Sequence, residues 1–251
     1  MSVDGAGDHA VALVGCNGAI GSAVADGLLA IGVSVLGFDF QDTPLLGGLS
    51  SYNRLDYSAL QEGLDDFAET LRTHPQPVTG LAVTTGLYPA RLMHEETEDT
   101  LMALFHANAI APSLVTSTFL AASGPGQRSV VIASSLAARK SRIGTGAYSA
   151  SKVALERLVS TQALEHRDEA VRINMVQPGY VASGSEINRV PADYERAIAE
   201  SSELVRPTDL VETFLWLLGP ASAMVNGETI SVDAGNHLGR KDEIAWVGDA
   251  D

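Results

Sequence analysis

Tyr148 and Lys152 stand four residues apart in "GAYSASKVAL", residues 146–155. On a helix that spacing places both side chains on one face. A free tyrosine has a pKa of about 10 and is a poor base at neutral pH. A neighbouring ammonium stabilises the phenolate and brings the group toward the range useful for general acid/base work. One solvated turn of a surface helix would show the same spacing, so the pair takes its meaning from its surroundings.

The second stretch with chemical potential is "GCNGAIG", residues 15–21. Its glycines, Gly15, Gly18 and Gly21, follow an apolar run and precede a helical one. At such a turn the backbone can approach a pyrophosphate, whose charge is drawn to the helix N-terminus. The expected contacts are Gly15, Asn17, Gly18, Ala19, Ile20 and Gly21, although a plain tight turn would use the same glycines. Asp39 closes the next apolar run, at about the distance where an acid accepts hydrogen bonds from an adenosine ribose. A carboxylate there repels a 2′-phosphate, and no Arg or Lys occurs at 16–20 or 40–43 to offset it. The predicted cofactor is therefore NAD rather than NADP, unless Asp39 is only a turn residue. Asp56, with Tyr57 beside it in "RLDYS", either faces the adenine or caps a helix. Cys16 reads as a spacer in the turn, not a nucleophile.

These residues need elements to hold them. Apolar runs at 10–15, 33–39, 78–86, 128–135, 171–179 and 228–235 read as buried strands. Amphipathic stretches at 19–32, 57–72, 96–123, 147–167 and 207–219 read as helices. Strands alternating with helices predict an α/β fold: a single Rossmann-like, doubly wound parallel sheet with helices on both faces. No linker interrupts residues 1–251, so one domain is expected. The polar stretch 183–206 is either a substrate lid or a surface helix and loop. The tail after Gly235 is expected to be irregular.

Composition narrows the partners. A net charge of −15 over 251 residues repels phosphate backbones and anionic lipid. Nucleic acid and membrane are not expected partners. No apolar stretch of the ~18 residues a span requires was found, and no basic-then-apolar leader opens the chain. One cysteine excludes an intramolecular disulfide. A cytoplasmic protein is expected. The six histidines show no ligand spacing with acids or Cys16, so no metal site is expected.

In order along the chain come "GCNGAIG", Asp39, "VTTG" (83–86), Asn108, "SS" (134–135), Tyr148 with Lys152, "QPG" (177–179) and "VDAG" (232–235). Their order and spacing resemble the short-chain dehydrogenase/reductases nearly end to end. The resemblance implies an oxidoreductase that moves a hydride between a nicotinamide cofactor and a secondary alcohol or ketone. It implies Tyr148 as general acid/base and Lys152 as the partner that lowers its pKa and contacts the nicotinamide ribose. Ser135 holds the substrate oxygen, and Asn108 positions a water in the proton path. Thr84, Thr85, Gly86, Pro178, Gly179, Val181 and Ser183 are implied at the cofactor. Three departures bear on cofactor affinity: Val14 replaces a threonine that braces the glycine turn, Ala19 replaces the middle glycine, and "VTTG" replaces "NNAG". Gly18 is expected to take over for the lost glycine, and Thr84 and Thr85 to brace the strand end.

The stretch "SRIGTGAY" (141–148) looks locally like the dehydrogenases that aromatise 2,3-dihydro-2,3-dihydroxybenzoate. That resemblance implies a cyclic or aromatic-ring alcohol or diol, with Arg142 at a substrate carboxylate. Plain surface charge is the alternative for Arg142, and Arg139 and Lys140 extend a small basic spot. An NADPH-dependent ketone or 3-oxoacyl reductase and a non-catalytic dinucleotide sensor remain the competing functions. The family also implies a homotetramer or homodimer, its long helices pairing through residues such as Leu104, Ile110, Leu155 and Leu158. Core packing would explain those four equally well.

Overall fold

The computed structural model describes residues 9–181, 192, 193, 196, 200 and 204–238. Seven strands form one parallel sheet in the order β3-β2-β1-β4-β5-β6-β7. They are β1 (Ala10–Val14), β2 (Ser34–Asp39), β3 (Ser51–Arg54), β4 (Val78–Val83), β5 (Arg128–Ala133), β6 (Val171–Pro178) and β7 (Thr229–Val232). The chain runs outward from β1 to β3, then returns to build the other half from β4. The strand order therefore reverses between β1 and β4, and a crevice opens at their carboxyl ends.

Alternation along each strand feeds two cores. Ala12, Val14, Leu36, Phe38, Leu81, Val130, Ile132 and Met175 face one side. There they meet Phe67 of α2 (Leu60–Thr73), Phe119 of α4 (Ala111–Ala122) and Leu155 of α5 (Gly146–Glu165). Val11, Leu13, Val35, Val131 and Val176 face the other side. They meet Val24 and Leu28 of α1 (Ala19–Ala30) and Phe214 of α6 (Pro207–Leu218). Strands buried on both faces need near-continuous apolar sequence, which is why the inner ones were legible. Strand β3, "SYNR", was not. It is an edge strand whose residues are only half-buried, so no apolar run marks it.

The stretch predicted as one helix over 96–123 is three pieces. Helix α3 (Glu98–Phe105) runs into a π-helical turn (His106–Ile110) and then into α4. Such a turn carries an extra residue and frequently marks a functional site; here it contains Asn108. Contrary to expectation, Glu98–Ala122 is long and apolar enough to cross a membrane by length and composition, but half of its apolar window is buried within the fold. Of the four residues proposed to pair helices, Leu104 and Leu155 belong to the core, whereas Ile110 and Leu158 are exposed. The proposed lid falls almost wholly outside the described residues. Its flanks, Val181 and Val205, meet in one parallel bridge.

Candidate active site

The glycine turn is built at the end of β1. Gly15 has φ +89°, the left-handed region, and an added Cβ would meet Thr84 and Thr85 within 3.0 Å. At Gly21 a Cβ would lie 2.0 Å from the Gly15 carbonyl, so α1 packs against the turn only with glycine there. Thr84 Oγ1 donates to the carbonyls of Val14 and Gly15, both at 3.1 Å. The brace that Val14 cannot give thus comes from β4. Gly18 is the exposed N-cap of α1 in extended backbone, and α1 has no capping side chain and no acid in its first turn. Its free amide end, with Ala19 and Ile20, suits an anion.

Asp39 is buried at the end of β2, with Oδ2 accepting from Asn17 N at 3.0 Å and Oδ1 from Phe40 N at 2.9 Å. Each oxygen keeps a lone pair for a ribose hydroxyl. The Asn17 side chain turns away from the turn. Its amide donates to Gln41, Thr43 and the Tyr52 hydroxyl, and its oxygen accepts from Leu45 N. With its N–H given to Asp39, only the Asn17 carbonyl remains for a cofactor. Asp56 caps the short helical turn at Tyr57–Ala59 through Ser58 and pairs with Arg54; Ser58 and then Arg54 hold its carboxyl below the usual range. The Tyr57 hydroxyl is committed to Thr85 Oγ1 at 2.9 Å, and burial drives its pKa up. Cys16 is fully buried. Burial, then the Asp39 charge, pushes its thiol up to about 12, as a spacer requires.

The reacting groups converge from β4, β5 and α5. Ser135 follows β5, and its Oγ accepts from Ala137 N at 3.2 Å, leaving its hydrogen to donate elsewhere. Tyr148 and Ser135 share the cavity wall, and Tyr88 packs edge-on against Tyr148 at 4.7 Å between ring centroids. Burial pushes the Tyr148 phenol up to about 12, against the lowering pull of Ser135. The Lys152 ammonium is buried, donates to the Ala133 carbonyl at 3.1 Å and lies 5.9 Å from the Tyr148 ring centroid. Burial brings it down to about 8, and Glu156 pulls it back up. In the chain by itself burial sets the direction at the tyrosine, and Ser135 is the group that opposes it. Asn108 donates to Leu87 O and Ser151 Oγ and accepts from Leu87 N. Its amide is thus spent on Leu87 and Ser151, where it braces the segment that follows β4.

One cavity joins these groups. Ile20, Thr84, Thr85, Gly86, Ser135, Tyr148, Lys152, Pro178, Gly179 and Val181 line it, as the sequence predicted, and so does Arg142. Asn108, Gly15, Asn17, Gly18, Ala19, Gly21, Asp39, Asp56 and Tyr57 do not line it. Ser183 lies outside the described residues. Sequence reasoning missed Tyr88 and Tyr180 as walls, and left Lys140 as a neighbour. The available signal was position: Tyr88 comes two residues after "VTTG", and Tyr180 directly follows "QPG". Among the described residues no cluster of His, Cys, Asp or Glu could hold a metal ion.

Comparison with known proteins agrees with this geometry. The family described as enoyl-(acyl carrier protein) reductase matches residues 15–237. The chain belongs to the short-chain dehydrogenase/reductase family. It is 25% identical over 254 residues to the vibriobactin-specific 2,3-dihydro-2,3-dihydroxybenzoate dehydrogenase of Vibrio cholerae, covering 91% of this chain and 95% of that one. It is 28% identical to the cis-4-hydroxycyclohexanecarboxylate dehydrogenase of Sinomonas cyclohexanicum over 45% of this chain and 46% of that one. Several other matches likewise span half or less of the relative's length. Among solved structures, the aldohexose dehydrogenase of Thermoplasma acidophilum shares the fold with TM-score 0.84 at 17% identity, covering 100% of both chains. Membership implies a nicotinamide dinucleotide. The braced glycine turn, the uncapped end of α1 and the side-chain-free approach at Gly86, where an added Cβ would lie 3.4 Å from Lys152 Nζ, fit one.

Proposed function

We propose that the protein is an NAD-dependent oxidoreductase of ring-bearing secondary alcohols or diols, with an anionic group on the substrate. The observation that carries this reading is the cavity in which Ser135 and Tyr148 share a wall with Lys140 and Arg142. Two cations in the lining, on a chain of net charge −15, suit a carboxylate on the substrate. The two ring-alcohol relatives named above act on compounds that carry a carboxylate as well as the alcohol, which supports the same substrate class.

The bound dinucleotide supplies the hydride acceptor. Gly15–Gly21 would hold its pyrophosphate, and Asp39 the adenosine ribose. At the other end Ser135 donates to the substrate oxygen, and Tyr148 Oη takes the alcohol proton. A phenol held at about 12 is protonated at neutral pH and suits the reverse, proton-giving step. Oxidation needs its phenolate, so the Lys152 charge must act on it once the site is filled. Asp39, buried at the end of β2, favours NAD over NADP; the cation beside it, Arg54 of β3, is tied to the Phe40 carbonyl, Asp42 and Asp56. The exposed apolar residues Met102, Ile110, Leu114 and Leu158 suit a contact with a second copy of the chain.

The test is a screen for reduction of NAD at 340 nm, using cyclic alcohols and diols with and without a ring carboxylate. Turnover confined to the carboxylated members supports the proposal. NADPH-dependent reduction of ketones, with no NADH formed from any alcohol, overturns it.

A further inference from the structure

Behind the catalytic pair lies a polar chain that the reaction described above does not use. Tyr148, Lys152 and Glu156 follow one another at four-residue steps along α5, so they share a face. Glu156 Oε1 accepts two hydrogen bonds, from Ser134 Oγ at 2.6 Å and from Gln177 Nε2 at 2.9 Å. Gln177 is fully buried in β6 and its oxygen accepts from Ser231 of β7 at 3.1 Å. Ser134 is buried and directly precedes Ser135. Glu156 is half-buried, and a carboxylate withdrawn from water in this way is favoured by a nearby cation. The cation on its face is Lys152, itself buried and bonded otherwise to a neutral carbonyl.

We propose that Glu156 is a positioning residue of the active site: it anchors Ser134 and Gln177 behind Ser135, and it sets a negative charge one helical turn from the Lys152 ammonium. This rests on the reading of Tyr148 and Lys152 as the acid/base pair. The groups around Lys152 on the other packed elements are neutral: the Ala133 carbonyl of β5, Gly86 beyond β4 and the Asn108 amide of the π turn. Tyr148 and Glu156 face it from its own helix. Glu156 is the carboxylate that acts on it, and it opposes the effect of burial.

Glu156→Gln isolates the charge. Both hydrogen bonds land on Oε1, which the amide retains, so fold and anchoring survive. An opposite charge at such range moves a pKa by ~1 unit or more. With Lys152 near 8 in the wild type, the ammonium fraction at pH 8 falls from about one half to about one tenth. The measurement is NADH affinity against pH by fluorescence titration (NADPH if that is the form bound), with kcat/KM against pH for an alcohol found in the screen. The alkaline fall in both should move down by ~1 pH unit in Glu156→Gln, with about fivefold lower activity at pH 8 and about twofold at pH 7. Thermal unfolding should stay near wild type. Superimposed pH curves overturn the proposal, even if Glu156→Ala is destabilised, because Glu156 is then structural only. Lys152→Met is the control for the reading beneath it. If that variant keeps the wild-type alkaline fall, Lys152 is not the titrating group and the acid/base assignment itself fails.

Discussion

Thr84→Val tests how the glycine turn is held. The substitution keeps shape and volume but removes one hydroxyl, which sits 3.1 Å from the carbonyls of both Val14 and Gly15. Neither carbonyl is orphaned by its loss. Val14 O still accepts from Thr84 N at 2.8 Å, and Gly15 O from Gly18 N at 3.1 Å. The cost is thus that of one ordinary hydrogen bond, about 1 kcal/mol. A methyl in place of the hydroxyl adds crowding, since carbon does not rest 3.1 Å from a carbonyl oxygen without displacing it. Repacking of that kind costs ~1 kcal/mol at its lower end. The sum, about 2 kcal/mol, should lower Tm by roughly 4–8 °C in a chain of this size. Because the displaced atom is Gly15 O, against which Gly21 and α1 pack, the same strain should weaken NADH binding by roughly 5–30-fold. Thr84→Ser, which keeps the hydroxyl, should bind NADH within about twofold of wild type. Fluorescence titration of the three proteins, with thermal unfolding alongside, makes the comparison. Undiminished NADH affinity in a destabilised Thr84→Val would refute the claim that this hydroxyl shapes the cofactor turn.

Three further outcomes are expected. Asp39→Ala should narrow the ratio of kcat/KM for NAD over NADP by about tenfold or more, equivalent to ~1.4 kcal/mol; an unchanged ratio would assign the preference to another residue. Arg142→Met should raise KM for a carboxylated ring alcohol about tenfold or more while leaving a neutral analogue within about twofold, and equal effects on both would remove Arg142 from the anion site. Cys16 in the folded protein should resist iodoacetamide at pH 8, because burial holds the thiol near 12; labelling as fast as in urea would show that the turn opens.

The inner strands and the catalytic series were legible because each carries a local signal. Doubly buried strands show as apolar runs, and Tyr148, Lys152 and Ser135 keep fixed spacing within short motifs. What escaped depends on contacts distant in sequence. The Thr84 hydroxyl reaches back 70 residues to Val14. Nothing local announces that Asn17 would tie down the segment at 41–45, or that Tyr57 would spend its hydroxyl on Thr85. The π turn at Asn108 interrupts a stretch whose apolar periodicity reads as one helix. Nothing local in α5 marks Glu156; its importance lies in Ser134, Gln177 and Lys152, brought together only by the sheet.

The reaction itself turns on one hydroxyl. Tyr148→Phe removes the Oη and leaves the ring against Tyr88. NADH should bind this variant within a few-fold of wild type, with thermal unfolding little changed, while kcat for the alcohol falls by ~10²–10⁴. Wild-type turnover in a folded, NADH-binding Tyr148→Phe would contradict the assignment of this cavity as an alcohol-oxidising active site.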